Sequence, residues 1–251
     1  PHLFNTAQQS EQDWQQVAVA GSVRARFCVI NGGPGTGKTF TVTRLIAALQ
    51  AVADEPLNIQ LAAPTGKAAQ RLNESMALSV SGLCDKHTSL STIPWPEDAI
   101  TLHRLLKISR MGIHTRMGPD SKLHCDVLII DEASMVDCAL MARVFRALPD
   151  NARVVLVGDA EQLPSVESGS ILESLTRDEV NSAVSQDTRS FVAKLCPHLP
   201  LLVPDTQGAS GFVFTLQVSQ RFGGVLASVA SAIQQGEAEQ HGGGHHDRRA
   251  H

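Results

Sequence analysis

Apolar and polar positions along this chain follow two alternating periods. Short, nearly continuous apolar runs stand in "RFCVIN", "LNIQLAA", "DVLII", "RVVLV" and "GFVFTLQV". They are too short for helices and do not alternate with polar residues, so they predict strands buried on both faces. Between them the period lengthens. Val42, Leu45, Ile46 and Leu49 recur at i, i+3, i+4 and i+7, the apolar stripe of an amphipathic helix. "TGKAAQRLNESM" and "AITLHRLLKI" predict two more helices, and Met141, Val144, Phe145 and Leu148 define a further face. Leu226, Val229, Ala230 and Ile233 mark a last helix after the fifth strand. At the front, Ser10 and Asp13 resemble a helix start ahead of Trp14, Val17 and Ala18. "LSVSGLCDKHTSLSTIPWP" has weak periodicity and many turn formers, which predicts an irregular insertion.

Strands alternating with helices predict an α/β fold, a mostly parallel sheet flanked by helices on both faces. In such sheets ligands bind beyond the carboxyl ends of the strands. The residues that directly follow each apolar run are therefore where chemistry is expected.

Composition narrows the class. With 251 residues, 43% hydrophobic and 18% charged, the chain has material for an ample core. Its net charge of -4 means that any nucleic-acid function must rest on a local patch. One such patch exists: between Thr101 and Cys125, Arg104, Lys107, Arg110, Arg116 and Lys122 face a single acid, Asp120. Cys28, Cys84, Cys125, Cys138 and Cys196 are odd in number and scattered, without metal-ligand or disulfide spacing. They read as reduced thiols of a cytoplasmic protein. No apolar run reaches the roughly 20 residues that span a bilayer, and "PHLFNTAQQS" lacks the regions of a signal peptide. The expectation is a chain with no membrane association.

The first run hands over to "GGPGTGKT", Gly32 to Thr39, which fits G-x-x-x-x-G-K-[ST]. Glycines let backbone N–H groups turn inward around an anion, and the following helix adds free donors and the positive end of its dipole. In this phosphate-binding loop Lys38 would reach the β- and γ-phosphates and Thr39 would coordinate Mg²⁺. "VLIIDEAS" places Asp131 and Glu132 at the end of another apolar run. In phosphoryl transfer an acid here holds the metal while a second group orients the attacking water, so Asp131 takes the metal role and Glu132 the base role. "VGDAEQLPSV" ends a third run, and Gln162 beside the γ-phosphate could sense its presence.

Taken together, these segments resemble superfamily-one DNA helicases of the RecD type, over about residues 11 to 236. The resemblance implies a RecA-like P-loop NTPase domain with ATP and Mg²⁺ as cofactors. The nucleotide contacts it implies are Gly32, Gly33, Pro34, Gly35, Thr36, Gly37, Lys38, Thr39 and Phe40, with Gln15, preferred over its neighbour Gln16 in "DWQQVAVA", as the adenine-recognising glutamine. "LAAPTGKAAQRL" is similar to a family contact to single-stranded DNA, through Pro64, Thr65 and Lys67. "TLHRLL" adds Thr101 and His103, and the arginine of "VSQRF", Arg221, is implied to approach the γ-phosphate. The family further implies 5′-to-3′ movement on single-stranded DNA beside RecB-like and RecC-like subunits, in a helicase–nuclease that processes DNA ends.

The sequence departs from this pattern in two places. Gln220 stands where the family has tyrosine, and nothing after Arg221 resembles the motifs of a second motor domain. The expected organisation is an N-terminal helix with the glutamine motif (1–24), a first motor domain (25–236) and a flexible tail (237–251). On this reading the chain is a piece of a longer protein. The competing readings are a nucleotide-binding interaction module and a clamp-loader-type P-loop ATPase. "PTGKAA" and "GDAEQLPSV" together argue against the latter.

Overall fold

A computed structural model of the chain describes residues 3, 14–109, 115–162, 171–177, 185–195 and 211–216. The first helix, α1 (Trp14–Arg24), leads into strand β1 (Phe27–Gly32) and helix α2 (Lys38–Val52). β2 (Ile59–Ala63) and α3 (Gly66–Lys86) follow, then a short edge strand β3 (Ile100–Thr101) and the single turn α4 (Leu102–Leu105). β4 (Val127–Ile130), α5 (Cys138–Ala147) and β5 (Arg153–Gly158) complete the centre, before α6 (Ile171–Thr176), α7 (Gln186–Leu195) and β6 (Val213–Leu216).

The described strands form one sheet in the order β3-β2-β4-β5-β1-β6, and every pairing is parallel. Successive residues of one strand enter opposite cores, as the two-residue period demands. Cys28 and Ile30 pack with Leu45, Ile46 and Leu72 under α1, α2 and α3. Val29 faces the other way, among Leu102, Met141 and Val144 from α4 and α5. Burial on both faces accounts for the unbroken apolar runs.

One transverse row of the sheet runs Ile100, Ala62, Ile130, Leu156, Val29 and Val213. Thr101, Asp131 and the loop after Gly32 lie within a few residues beyond this row. The parallel register therefore gathers them on one edge of the sheet.

Two expected elements come out differently. The helix predicted across "AITLHRLLKI" is an edge strand followed by one turn of helix. Ile100 and Thr101 pair with Ala62 and Ala63, while the Asn73 side chain on α3 accepts from Ala99 N at 2.6 Å, holding the chain extended. The irregular insertion is in part helix, because α3 runs on to Lys86. Its last turns bury Leu83 alone while Leu78 stands 77% exposed, so little apolar periodicity remains to be read. Trp95 packs against the core rather than standing free, and its Nε1 donates to Leu90 O at 3.3 Å. The predicted helix around Leu226 and the start at Ser10 and Asp13 lie outside the described residues.

Candidate nucleotide site

The loop between β1 and α2 owes its shape to glycine. Gly35 (φ 81°) and Gly37 (φ 88°) occupy the left-handed region, where a Cβ is costly. A Cβ on Gly32 would stand 2.6 Å from Thr36 Oγ1 and 3.1 Å from Leu216 Cβ. Thr36 Oγ1 donates to Gly33 O at 3.0 Å, closing the loop on itself. Gly37 caps α2 without a side-chain hydrogen bond. With glycine at the cap, the start of this 15-residue helix faces the loop without a capping side chain. Lys38 Nζ donates to Gly32 O at 2.7 Å and Gly33 O at 3.1 Å, so its ammonium lies along the inner rim. Gln15 on α1 donates through Nε2 to Thr36 O at 2.8 Å, tying the predicted glutamine to the loop backbone.

Across the cleft, β4 delivers the paired carboxylates. Asp131 N continues the ladder by donating to Ala62 O at 2.9 Å. Burial pushes the Asp131 carboxyl up to about 6. The Glu132 N–H opposes this, the Glu132 carboxylate reinforces it, and Lys38 draws it back down. Glu132 holds φ 50° and ψ 41°, a left-handed conformation that costs a non-glycine residue about 1 kcal/mol. Such strain concentrates where geometry matters more than stability.

β5 delivers the third segment. Gln162 N donates to Asp159 O at 3.3 Å and Glu161 N to Asp159 Oδ1 at 3.1 Å, folding the segment into a tight turn. This turn is tied to the root of the phosphate loop, because Asn31 Oδ1 accepts from Ala160 N at 2.9 Å. Asn31 was not singled out in the sequence. Its one signal is a polar residue ending an otherwise apolar strand, which reads equally well as a strand end.

These segments meet in a single cleft of about 680 Å³, lined by Lys38, Thr39, Asp131, Glu132 and Gln162 together with Pro34, Gly35, Gly37 and Phe40. Its far wall belongs to α3, through Arg71, Ser75 and Ser79. Phe40 is 36% exposed at the rim, with the Arg44 guanidinium 3.1 Å above its ring centre. Arg221 lies outside the described residues.

The second predicted group gathers on neighbouring strands. Ala63 pairs with Thr101, so Pro64, Thr65 and Lys67 come off the sheet beside Thr101 and His103. Thr65 Oγ1 accepts from Ala68 N and Thr101 Oγ1 accepts from Arg104 N, each at 3.2 Å. Both hydroxyls cap helices and still keep a proton to donate. The basic segment does not stay together. Arg104 and Lys107 are exposed near this edge, but Lys122 donates to Arg146 O at 3.0 Å and lies 3.9 Å from Asp150. There it lines a hollow with Phe27 and Val154, at the amino ends of the strands. Its place in the chain just ahead of β4, rather than the exposed ion pair, keeps it away from the cleft. No helix among the described residues is long and apolar enough to cross a membrane.

A family described as AAA domain matches residues 15–168. The RecBCD enzyme subunit RecD of Haemophilus influenzae is 44% identical over 173 residues, covering 67% of this chain and 27% of that protein. RecD of Mycobacterium tuberculosis is 37% identical over 242 residues, covering 94% of this chain and 36% of that protein. The ATP-dependent RecD2 DNA helicase of Deinococcus radiodurans is 40% identical over 153 residues, 61% of this chain and 18% of that protein. The chain thus spans little more than a third of the length of these relatives, or less. With a phosphate loop, paired carboxylates and Gln162 converging on one cleft, this chain belongs to the AAA domain family of P-loop nucleotide-binding proteins, with RecD subunits and the RecD2 helicase among its homologues.

Proposed function

We propose that this chain is the ATP-binding motor domain of a RecD-type DNA helicase subunit, the first of two such domains in its parent protein. The observation that carries the reading is the convergence of Lys38, Thr39, Asp131, Glu132 and Gln162 on one cleft at the carboxyl edge of the sheet. On this reading the motor domain covers 25–236, with Gln15 on the preceding helix and the tail at 237–251.

ATP enters with its phosphates over the loop, where backbone N–H groups and the start of α2 receive them. Lys38 exchanges the carbonyls of Gly32 and Gly33 for the β- and γ-phosphates. Gln15 and Phe40 bound the adenine side. The donor set fits Mg²⁺: a desolvated carboxylate, Asp131, and a hydroxyl, Thr39, face the same cleft. Mg²⁺ held there would complete its coordination with phosphate oxygens and water. Asp131 and Thr39 would hold the ion, which would supply charge neutralisation for the phosphates. Glu132, held by its left-handed backbone, takes the proton of the attacking water. Gln162 reports the γ-phosphate to the turn that Asn31 anchors, and Arg221 approaches the same phosphate.

Single-stranded DNA lies across Pro64, Thr65, Lys67, Thr101 and His103, whose donors suit phosphate and sugar rather than base edges. A second motor domain and RecB-like and RecC-like subunits complete the machine, in which movement runs 5′ to 3′ and DNA ends are processed. ATP·Mg²⁺ should raise the melting temperature of this chain by mass action, and Lys38→Ala should abolish the rise. An unchanged melting curve of the folded wild-type chain at millimolar ATP would remove the site. In the parent protein, single-stranded DNA should stimulate ATP turnover and Glu132→Gln should stop it. Turnover indifferent to DNA would instead mark a passive nucleotide-binding module.

A further inference from the structure

We propose that Arg71 is a nucleotide-phosphate contact, the second cation of the ATP site, and not part of the DNA-facing basic patch. This rests on the nucleotide reading of the cleft. The rotation of α3 and the place of Arg71 along it decide the matter. Thr65 caps its amino end by accepting from Ala68 N. Ala68, Ala69, Leu72 and Met76 bury one face against the sheet and α2, where Thr43 Oγ1 donates to Met76 Sδ at 3.4 Å. A helix fixed along that stripe cannot turn. Residues four apart share a face, so Arg71, Ser75 and Ser79 form one ridge along the wall opposite Lys38, Asp131 and Glu132. Lys67 begins the same ridge one turn earlier, but there, at the amino end of the helix, it is exposed and does not line the cleft.

Charge gives this placement a purpose. The cleft wall carries two carboxylates, Asp131 and Glu132, and among the described residues its cations are Lys38 and Arg71. With Lys38 alone the wall would carry a net negative charge toward a ligand that is itself a polyanion, even with its metal bound. Arg71 restores the balance. Its planar fork can take two phosphate oxygens at once, which an ammonium cannot. The Ser75 and Ser79 hydroxyls on the same ridge add neutral donors.

The test is calorimetric titration of this chain with ATP·Mg²⁺, comparing the wild type with Arg71→Ala, Arg71→Lys and Lys67→Ala. A hydrogen bond to a charged group is worth enough for Arg71→Ala to weaken ATP binding by about tenfold to a hundredfold. Arg71→Lys should recover part of that loss, and Lys67→Ala should bind ATP as the wild type does. Arg71 is exposed, so the nucleotide-free melting temperature should stay unchanged, separating loss of a contact from loss of fold. ATP affinity unaltered in Arg71→Ala, beside a wild type that binds, overturns the assignment while leaving the site intact. A folded wild type that binds no nucleotide overturns both.

Discussion

Asp131→Asn offers a measurement in which the candidate metal ligand reports on itself without any ligand present. The wild-type carboxyl sits near 6 in the folded chain against an ordinary value of 3.8, because the folded cleft desolvates it. A raised value means that the folded state holds the proton more tightly than the unfolded state does. The group's favourable contribution is therefore complete below the unfolded value and is lost as pH rises through the folded one. The span between 3.8 and about 6 corresponds to about 3 kcal/mol at pH 8, falling below about 1 kcal/mol at pH 4. Asparagine keeps the shape and never ionises. Urea unfolding of the metal-free chain at pH 4, 6 and 8 should show the variant gaining about 2–3 kcal/mol on the wild type across that range. ATP·Mg²⁺ should then stabilise the wild type and fail to stabilise the variant, since the amide is a far poorer ligand for a hard cation. Parallel stability curves for the two proteins would refute the desolvation argument. A variant less stable than the wild type at pH 8 would do so even more directly. A carboxylate held at a cost in stability is what a site built for a cation should show.

Further expectations concern the same cleft and its neighbour. Glu132→Gly should stabilise the folded chain by about 1 kcal/mol, because glycine occupies the left-handed region freely, while removing the proposed base; equal or lower stability in urea would show that the backbone there is unstrained. Asn31→Ala deprives Ala160 N–H of its acceptor, so in the parent protein ATP turnover should fall at nearly constant ATP affinity, and Asn31→Asp, which can still accept that bond, should restore it. Equal loss of affinity and turnover would make Asn31 merely structural. Lys67→Ala in the parent protein should reduce the log–log salt slope of single-stranded DNA binding by about 0.7. An unchanged slope would move the DNA path away from α3.

The phosphate loop was legible because all its parts are local. Strand, glycine turn and helix follow one another in the chain, and the positive φ of Gly35 and Gly37 has no other cheap occupant. Asp131 and Glu132 were legible for a similar reason, as two acids directly after a strand that is buried at every position. The sheet's order was not, because parallel partners lie far apart in sequence and nothing local shows that β5 inserts between β1 and β4. Long-range contacts also decided what particular side chains can do. Arg71 and Lys67 look alike on "GKAAQRL" and lie one turn apart on the same face; the burial of Ala68, Leu72 and Met76 aims that face, and only the packed helix shows that the cleft reaches Arg71 and stops short of Lys67. Lys122 belonged by sequence to a basic segment, and the return of the chain to the start of β4 leaves it beside Asp150 and the Arg146 carbonyl at the opposite end of the sheet. Sequence by itself determined the local chemistry, since backbone conformation and hydrophobic period act over a few residues. Only tertiary packing decided which charges share a site, because that depends on how each helix is rotated and positioned against the sheet.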